Sequence, residues 1–353
     1  MPQGEKKYFP QIDILKCFSI ISVILVHILP ISALVSSRAQ FHINQTVIIF
    51  FILIGLTLGI SFNRKAQEKR LKLKNLYSKE YFLKKSNRLI VPFLVVYLLS
   101  LILGIAEHKT LYFGFFTLIG LLPVTGPGNY FFSIILQYIV VAPLIFFIYK
   151  KNPKLMLALL LLVNLIFELL IFKLAIFSIY SYLYSACIFR YFFAIALGLY
   201  VSEEYTLNHR VRFFSRRNWL LFLPLPLSIY YLYIGIAKWQ PWSFLRQDWG
   251  THNVVAFPYV FFITVLFLNF NREKWLNSLV ARPLLAIGKA SYHIFLTQML
   301  FFGLGFSFSK PSATVATIIA DLATIIALGW LFYKSENKIR GLISSKRKMA
   351  WTS

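Results

Sequence analysis

The sequence predicts an all-α polytopic membrane protein of about ten transmembrane helices, with both termini in the cytoplasm. Three observations predict it. The 353-residue chain is 58% hydrophobic and only 14% charged, with a mean hydropathy of +0.69, whereas a soluble globular domain is closer to half apolar and a quarter charged. Its apolar residues gather into runs of the ~20 residues that a helix needs to cross a bilayer. Its 37 Lys and Arg, against 12 Asp and Glu for a formal charge of +25, are distributed very unevenly along the chain. A cytosolic enzyme, a disordered chain and a disulfide scaffold are excluded. The two cysteines, Cys17 and Cys187, lie inside apolar runs, so neither a disulfide framework nor a zinc cluster follows.

Taken in order, the first run, 12–34, is too long and too polar for a cleavable signal, since it contains Asp13, Lys16 and His27. The second, 45–62, ends in a polar inner loop, 63–88, with ten Lys or Arg and two Glu. The third is 89–106. The stretch 111–123 is short and leads into Thr-Gly-Pro-Gly-Asn at 125–129, so it reads as an interfacial or re-entrant piece. Runs 130–149, 155–172, 187–202, 219–237, 254–270, 284–304 and 312–333 complete the ten. With the N-terminus inside, inner segments hold 28 of the 37 basic residues and outer loops six, the asymmetry of the positive-inside rule. Lys16, Arg190 and Lys289 fall within spans. Counting 111–123 as a span would put Lys150, Lys151 and Lys154 outside and invert every later loop. The domain organisation is one transmembrane domain, 1–335, followed by a basic cytoplasmic tail, 336–353. The basic excess is a topology signal and calls for no nucleic acid.

Ionisable groups within a span are costly, so each is a functional candidate. Lys16 and His27 are eleven residues apart, about three turns at 3.6 residues per turn, and share a face. At 1.5 Å per residue, His27 lies roughly 16 Å along the helix from Lys16, deep in the membrane. Asp13 lies one turn before Lys16 on the same stripe, within pairing range. A neutral imidazole at that depth can take or relay a proton, or act as nucleophile, if a polar cavity reaches it. The plainer account makes Asp13 and Lys16 interfacial anchors and bonds His27 to a neighbouring helix.

Ile12-Asp13-Ile14-Leu15-Lys16, ten residues and then His27 is similar to the N-terminal helix of the membrane acyltransferase-3 family, whose signature there is an Arg, ten residues and a His. The resemblance continues in the family's order. Phe50-Phe51-Ile52-Leu53-Ile54-Gly55 resembles the second-helix motif ending in Ser-Gly, and Phe82 through Arg88 to Pro92 the basic loop with an Arg-x-x-Arg pattern. Tyr130-Phe131-Phe132 to Gln137-Tyr138 is similar to the aromatic-led fourth helix, Gly288-Lys289-Ala290-Ser291-Tyr292 to Gln298 to the Gly-Lys-x-Ser-Tyr segment, and Phe332-Tyr333-Lys334-Ser335-Glu336 to the closing aromatic-to-Glu motif. The resemblance implies a multi-pass protein of the cell membrane that moves an acyl group, often acetyl, from cytoplasmic acyl-CoA to a hydroxyl of a cell-surface or secreted saccharide. It implies catalysis at His27 with Lys16 and Asp13 in support, acetyl-CoA as donor and no metal. There are departures. Lys16 stands in place of Arg, without the planar fork; Ile54 replaces Ser, and Lys85 the first Arg of the basic pair. Gln298 stands where a second His is usual, and an amide cannot titrate; His293 on the same helix is a candidate substitute.

The phosphates of coenzyme A suit the basic loop, and Lys85 and Arg88, three apart, share a face if the third helix begins early. Anchoring on anionic lipid explains the rest of that loop without any substrate. Glu168 and Arg190 lie at similar depth near the outer ends of their spans, where they orient a saccharide hydroxyl or simply staple two helices. Asp321, in the last span, is a candidate proton acceptor or a partner for Lys289 or His27. Trp239, Trp242 and Trp249 fall within the outer loop 238–253, where aromatic faces suit sugar rings but also enrich at interfaces. Two rival functions remain at this level. One is a proton-coupled transporter or polysaccharide exporter using Asp13, Lys16, His27 and Asp321; the other is a non-catalytic partner in a glycan-synthesis complex.

Overall fold

The computed structural model describes residues 8–68, 72–108, 122, 126–174, 181–213, 215, 218–237, 251–270, 278–309 and 313–349. Among these there is no strand. Ten longer helices carry the architecture: α1 (Pro10–Ile28), α2 (Thr46–Glu68), α3 (Val91–His108), α4 (Tyr130–Lys151), α5 (Pro153–Leu170), α6 (Phe192–Asn208), α7 (Leu225–Ala237), α8 (Phe257–Asn269), α9 (Ala281–Gly303) and α10 (Val315–Met349). Each of the ten apolar runs carries one of them. Six segments are long and apolar enough to cross a membrane by length and composition: Pro10–Ile28, Ala39–Asn63, Leu73–Ala106, Tyr130–Lys151, Pro153–Leu170 and Val315–Ile343. Helices α6, α7 and α8 are shorter, at 17, 13 and 13 residues, and α9 carries Arg282, Lys289 and His293.

Of the boundaries that differ from the sequence expectation, three matter most here, two of them because of proline. Helix α1 stops at Ile28 instead of running to 34, because Leu29, before Pro30, is extended (φ −77°, ψ 139°) and a separate short helix follows, Ile31–Ser36; a residue before proline is pushed out of the helical region. The run 219–237 is divided into Trp219–Phe222 and α7 around Pro224 and Pro226. Helix α10 does not stop at 333 but continues to Met349, so the start of the basic tail is helical. Most of the stretch 111–123, and Trp239, Trp242 and Trp249, lie outside the described residues.

The packing is that of a protein dissolved in lipid. Leu94, Leu98 and Ile102 on α3, and Leu155, Leu159, Leu162, Ile166 and Leu169 on α5, are exposed at spacings of three and four residues, a stripe that water would not tolerate but acyl chains do. Helix α6 is the reverse: Ala194, Ile195, Ala196, Leu197 and Leu199 have no exposure at all, as expected of a helix apolar on every side. It lies along α2 at very close range. A Cβ on Gly55 would sit 1.9 Å from the Ile195 carbonyl oxygen, and one on Gly198 1.8 Å from that of Ile52. Small residues are how helices approach without a hydrophobic driving force between them. Helix α1 packs on α9, and α9 on α10. Gly288 sets the first contact, since a Cβ there would lie 1.8 Å from the Asp13 carbonyl oxygen.

Candidate functional site

A cavity of about 840 Å³ runs between α1, α2, α4, α9 and α10, large for a small-molecule pocket. It extends from the end of the molecule where α1 begins and α10 finishes, here the basic end, to the opposite or far end, where α1 finishes and α2 begins. Asp13, Lys16, His27, Lys85 and Arg88 all line it, so residues separated by up to 75 positions share one space.

At the basic end, the Asp13 carboxylate accepts from Lys16 Nζ at 3.1 Å and from the Tyr8 hydroxyl at 2.8 Å. Lys289 lies over the Tyr8 ring, 4.9 Å from its centroid. Lys16, Lys85, Arg88, Lys289 and Arg340 face Asp13 and Glu336 there, leaving a positive mouth.

Lys85 reaches this mouth through a device in α4. Pro143 has no N–H, so the Ile139 carbonyl lacks its intrahelical partner. The buried Tyr81 hydroxyl donates to that carbonyl at 2.9 Å, and the Tyr77 hydroxyl to the Val140 carbonyl at 2.8 Å. These bonds draw the Lys79–Lys85 helix against α4 and set Lys85 Nζ 5.3 Å from the Tyr138 ring centroid.

Arg88 follows in a single π-helical turn, Ser86–Ile90, a local distortion frequent at functional sites. Two carbonyls of that turn are tied to the cavity wall. Tyr292 donates from its hydroxyl to the Leu89 carbonyl at 2.7 Å, and Arg340 donates to the Asn87 carbonyl. Arg340 also donates to Glu336, whose other carboxylate oxygen accepts from Nε2 of the buried His293. Glu336, Asn337 and Arg340 all line the cavity.

At the far end stand His27, Asn44, Thr46, Gly128, Tyr130, Thr251 and His252. The first apolar run continues to 34, but the helix that carries His27 ends at Ile28. His27 sits in the last turn of α1, its ring edge-on to Phe302 with centroids 5.9 Å apart. His252 bonds through Nε2 to the Asn44 carbonyl. Burial pushes its ring down to about 4, with Arg190 acting in the same direction and the Asn44 bond opposing, so it is neutral at pH 7.

The remaining candidates lie off the cavity wall. Glu168 and Arg190, both buried, converge on the segment that carries His252. Arg190 Nε donates to the His252 carbonyl at 3.1 Å, and Glu168 accepts from Val254 N at 3.1 and 3.3 Å and from Asn164 Nδ2 at 3.1 Å. The Arg190 guanidinium also lies 4.1 Å from the Tyr184 ring centroid. Gln298 is fully buried, and neither amide atom has a hydrogen-bond partner among the described residues. It does not line the cavity; beside it the 126–128 turn packs on α9, with Gly126 against the Met299 backbone and Gly128 against the Phe295 ring. Asp321 accepts from Ser307 Oγ, Phe308 N, Ser309 N and Ser309 Oγ at 2.7–3.1 Å. It holds the turn after α9 and meets neither Lys289 nor His27. Trp242 and Trp249 are outside the described residues.

Sequence reasoning missed His252, whose only visible signal was its place in the Trp-bearing outer loop. It also missed the Tyr81–Pro143 anchor, which pairs residues 62 positions apart.

The model of a family described as an acyltransferase domain, acyltransferase-3, matches residues 9–334, nearly the whole chain. No curated protein and no solved structure matches.

Proposed function

The chain belongs to the acyltransferase-3 family and is a membrane acyltransferase; from that premise we propose that it moves an acyl group, acetyl first among them, from cytoplasmic acyl-CoA to a hydroxyl of a cell-surface or secreted saccharide. The observation that carries this reading is one cavity with five cations at its basic end and His27 at the other. Ten spans with both termini inside turn the basic end to the cytoplasm, in keeping with the distribution of Lys and Arg.

In this reading Lys85 and Arg88 take the phosphates of coenzyme A, which as multivalent anions favour clustered cations over a single one. Lys16, Lys289 and Arg340 add to the same field. The middle of the cavity is lined by Leu53, Ile54, Phe131, Ile135 and Phe295, an apolar passage that suits the pantetheine arm and leads the thioester toward His27. Asp13 fixes Lys16, and Tyr8 fixes Asp13, so the first helix presents a set charge to the donor. His27 acts on the acyl group as carrier, or on the acceptor hydroxyl as base. Placement in the plasma membrane follows from a surface acceptor. Among the rival functions, the proton pathway is weakened by the position of Asp321, which is bonded to the 307–309 turn and absent from the cavity wall.

The test is mass spectrometry of surface glycans from cells carrying the gene, lacking it, or carrying His27→Ala at matched membrane abundance. An acyl ester present in the first and absent from the other two is the expected result. Unchanged acylation with His27→Ala overturns the assignment of His27, and unchanged acylation without the gene overturns the proposed acceptor.

A further inference from the structure

We propose that His252 is the general base that takes the proton of the acceptor hydroxyl at the far end of the cavity, an assignment that rests on the acyl-transfer reading above. His252 lines the cavity alongside His27, Thr46 and Tyr130. A carbonyl has no proton to give, so the Nε2 contact to the Asn44 carbonyl fixes the tautomer: Nε2 carries the proton and Nδ1 the lone pair. Nδ1 has no hydrogen-bond partner among the described residues, and the residue as a whole is half-buried.

The backbone that aims this ring is held from behind by two buried ionisable side chains, Arg190 on the His252 carbonyl and Glu168 on the Val254 amide. Burying two ionisable groups is costly, and here both fix one short segment at the rim of the cavity. The titratable and charged groups around His252 are Arg190 ahead of α6, Glu168 on α5, Tyr130 on α4, Tyr231 on α7 through Asn253, and His27 across the cavity. Burial and Arg190 keep the ring neutral, so its lone pair is available throughout the physiological range.

The step balances as follows. Nδ1 takes the hydroxyl proton as the acceptor oxygen forms its bond to the acyl carbon. The bond from that carbon to its leaving atom, the sulfur of coenzyme A or a ring nitrogen of His27, breaks, and its electron pair goes to that atom. The imidazolium of His252 returns its proton to water at the far end. The thiolate of coenzyme A takes one from water at the basic end.

The experiment compares wild type with His252→Gln, which keeps an N–H donor toward the Asn44 carbonyl and removes the base. Each purified protein receives labelled acetyl-CoA and either a saccharide extract of the host envelope or hydroxylamine, a nucleophile that needs no deprotonation. The expected result is transfer to saccharide lowered at least about 100-fold, with transfer to hydroxylamine within about threefold of wild type. Equal loss toward both nucleophiles reveals a structural role and overturns the proposal, as does retention of both. Wild-type protein inert toward both nucleophiles refutes acyl transfer itself, a failure distinct from that of His252.

Discussion

Lys85 and Arg88 arrive at the same mouth by different routes, one on a helix anchored to α4 and the other in a π turn anchored to α9 and α10. Both were legible in the sequence as a basic pair three residues apart. Their anchors were not, because a hydroxyl meeting a carbonyl 58 residues away leaves no local pattern. If they bind the phosphates of the donor, Lys85→Ala and Arg88→Ala each raise the KM for acetyl-CoA roughly tenfold, a charged hydrogen bond being worth about 1.5–3 kcal/mol, with kcat little changed. Steady-state kinetics at two ionic strengths checks this, since rising salt narrows the gap between wild type and variant. His252 makes a second prediction at this scale. A free imidazole titrates near 6.5 and this one near 4. Between those values the unfolded chain binds a proton that the folded chain does not, so stability is lost as pH falls through that window. Melting in detergent from pH 7.5 to 4.5 records the slope, and His252→Gln flattens its share of it.

At the scale of elements, the apolar runs located the ten longer helices among the described residues, because hydropathy reads lipid-facing stripes such as those of α3 and α5 directly. Their ends were less legible. Pro30 stops α1 six residues before the end of the apolar run, and that places His27 in the final turn of its helix. Nothing in composition says that α10 continues into the charged tail, and the Glu336–Arg340 pair on the cavity wall depends on that continuation. Two contacts test the element-level account. Tyr81→Phe strands the Ile139 carbonyl that Pro143 has already deprived of its partner, and costs about 1–3 kcal/mol; it lowers the melting temperature and raises the KM for acetyl-CoA together. Gly288→Ala forces α9 away from the Asp13 backbone, since the added Cβ would fall 1.8 Å from a carbonyl oxygen. It disturbs the Tyr8–Asp13–Lys16 cluster, and activity falls with loss of helix packing seen in thermal scans.

For the whole molecule, the charge of +25 has two parts. Most of it lies on one side of the expected topology, and a small remainder forms the mouth of the cavity. The sequence pointed to His27 and Lys16 through their common face; it did not show that a continuous cavity joins them to Lys85 and Arg88, which only the assembly of five helices creates. That cavity is the physical basis of the central claim: donor enters at the basic end and the acyl group leaves at the far end. The most direct measurement uses proteoliposomes of uniform orientation, with labelled acetyl-CoA supplied to one face and saccharide extract to the other. Labelled saccharide is predicted only when acetyl-CoA meets the basic end, and label is lost with His27→Ala. Equal labelling with acetyl-CoA at the far end, or labelling only when donor and acceptor share one face, would contradict it.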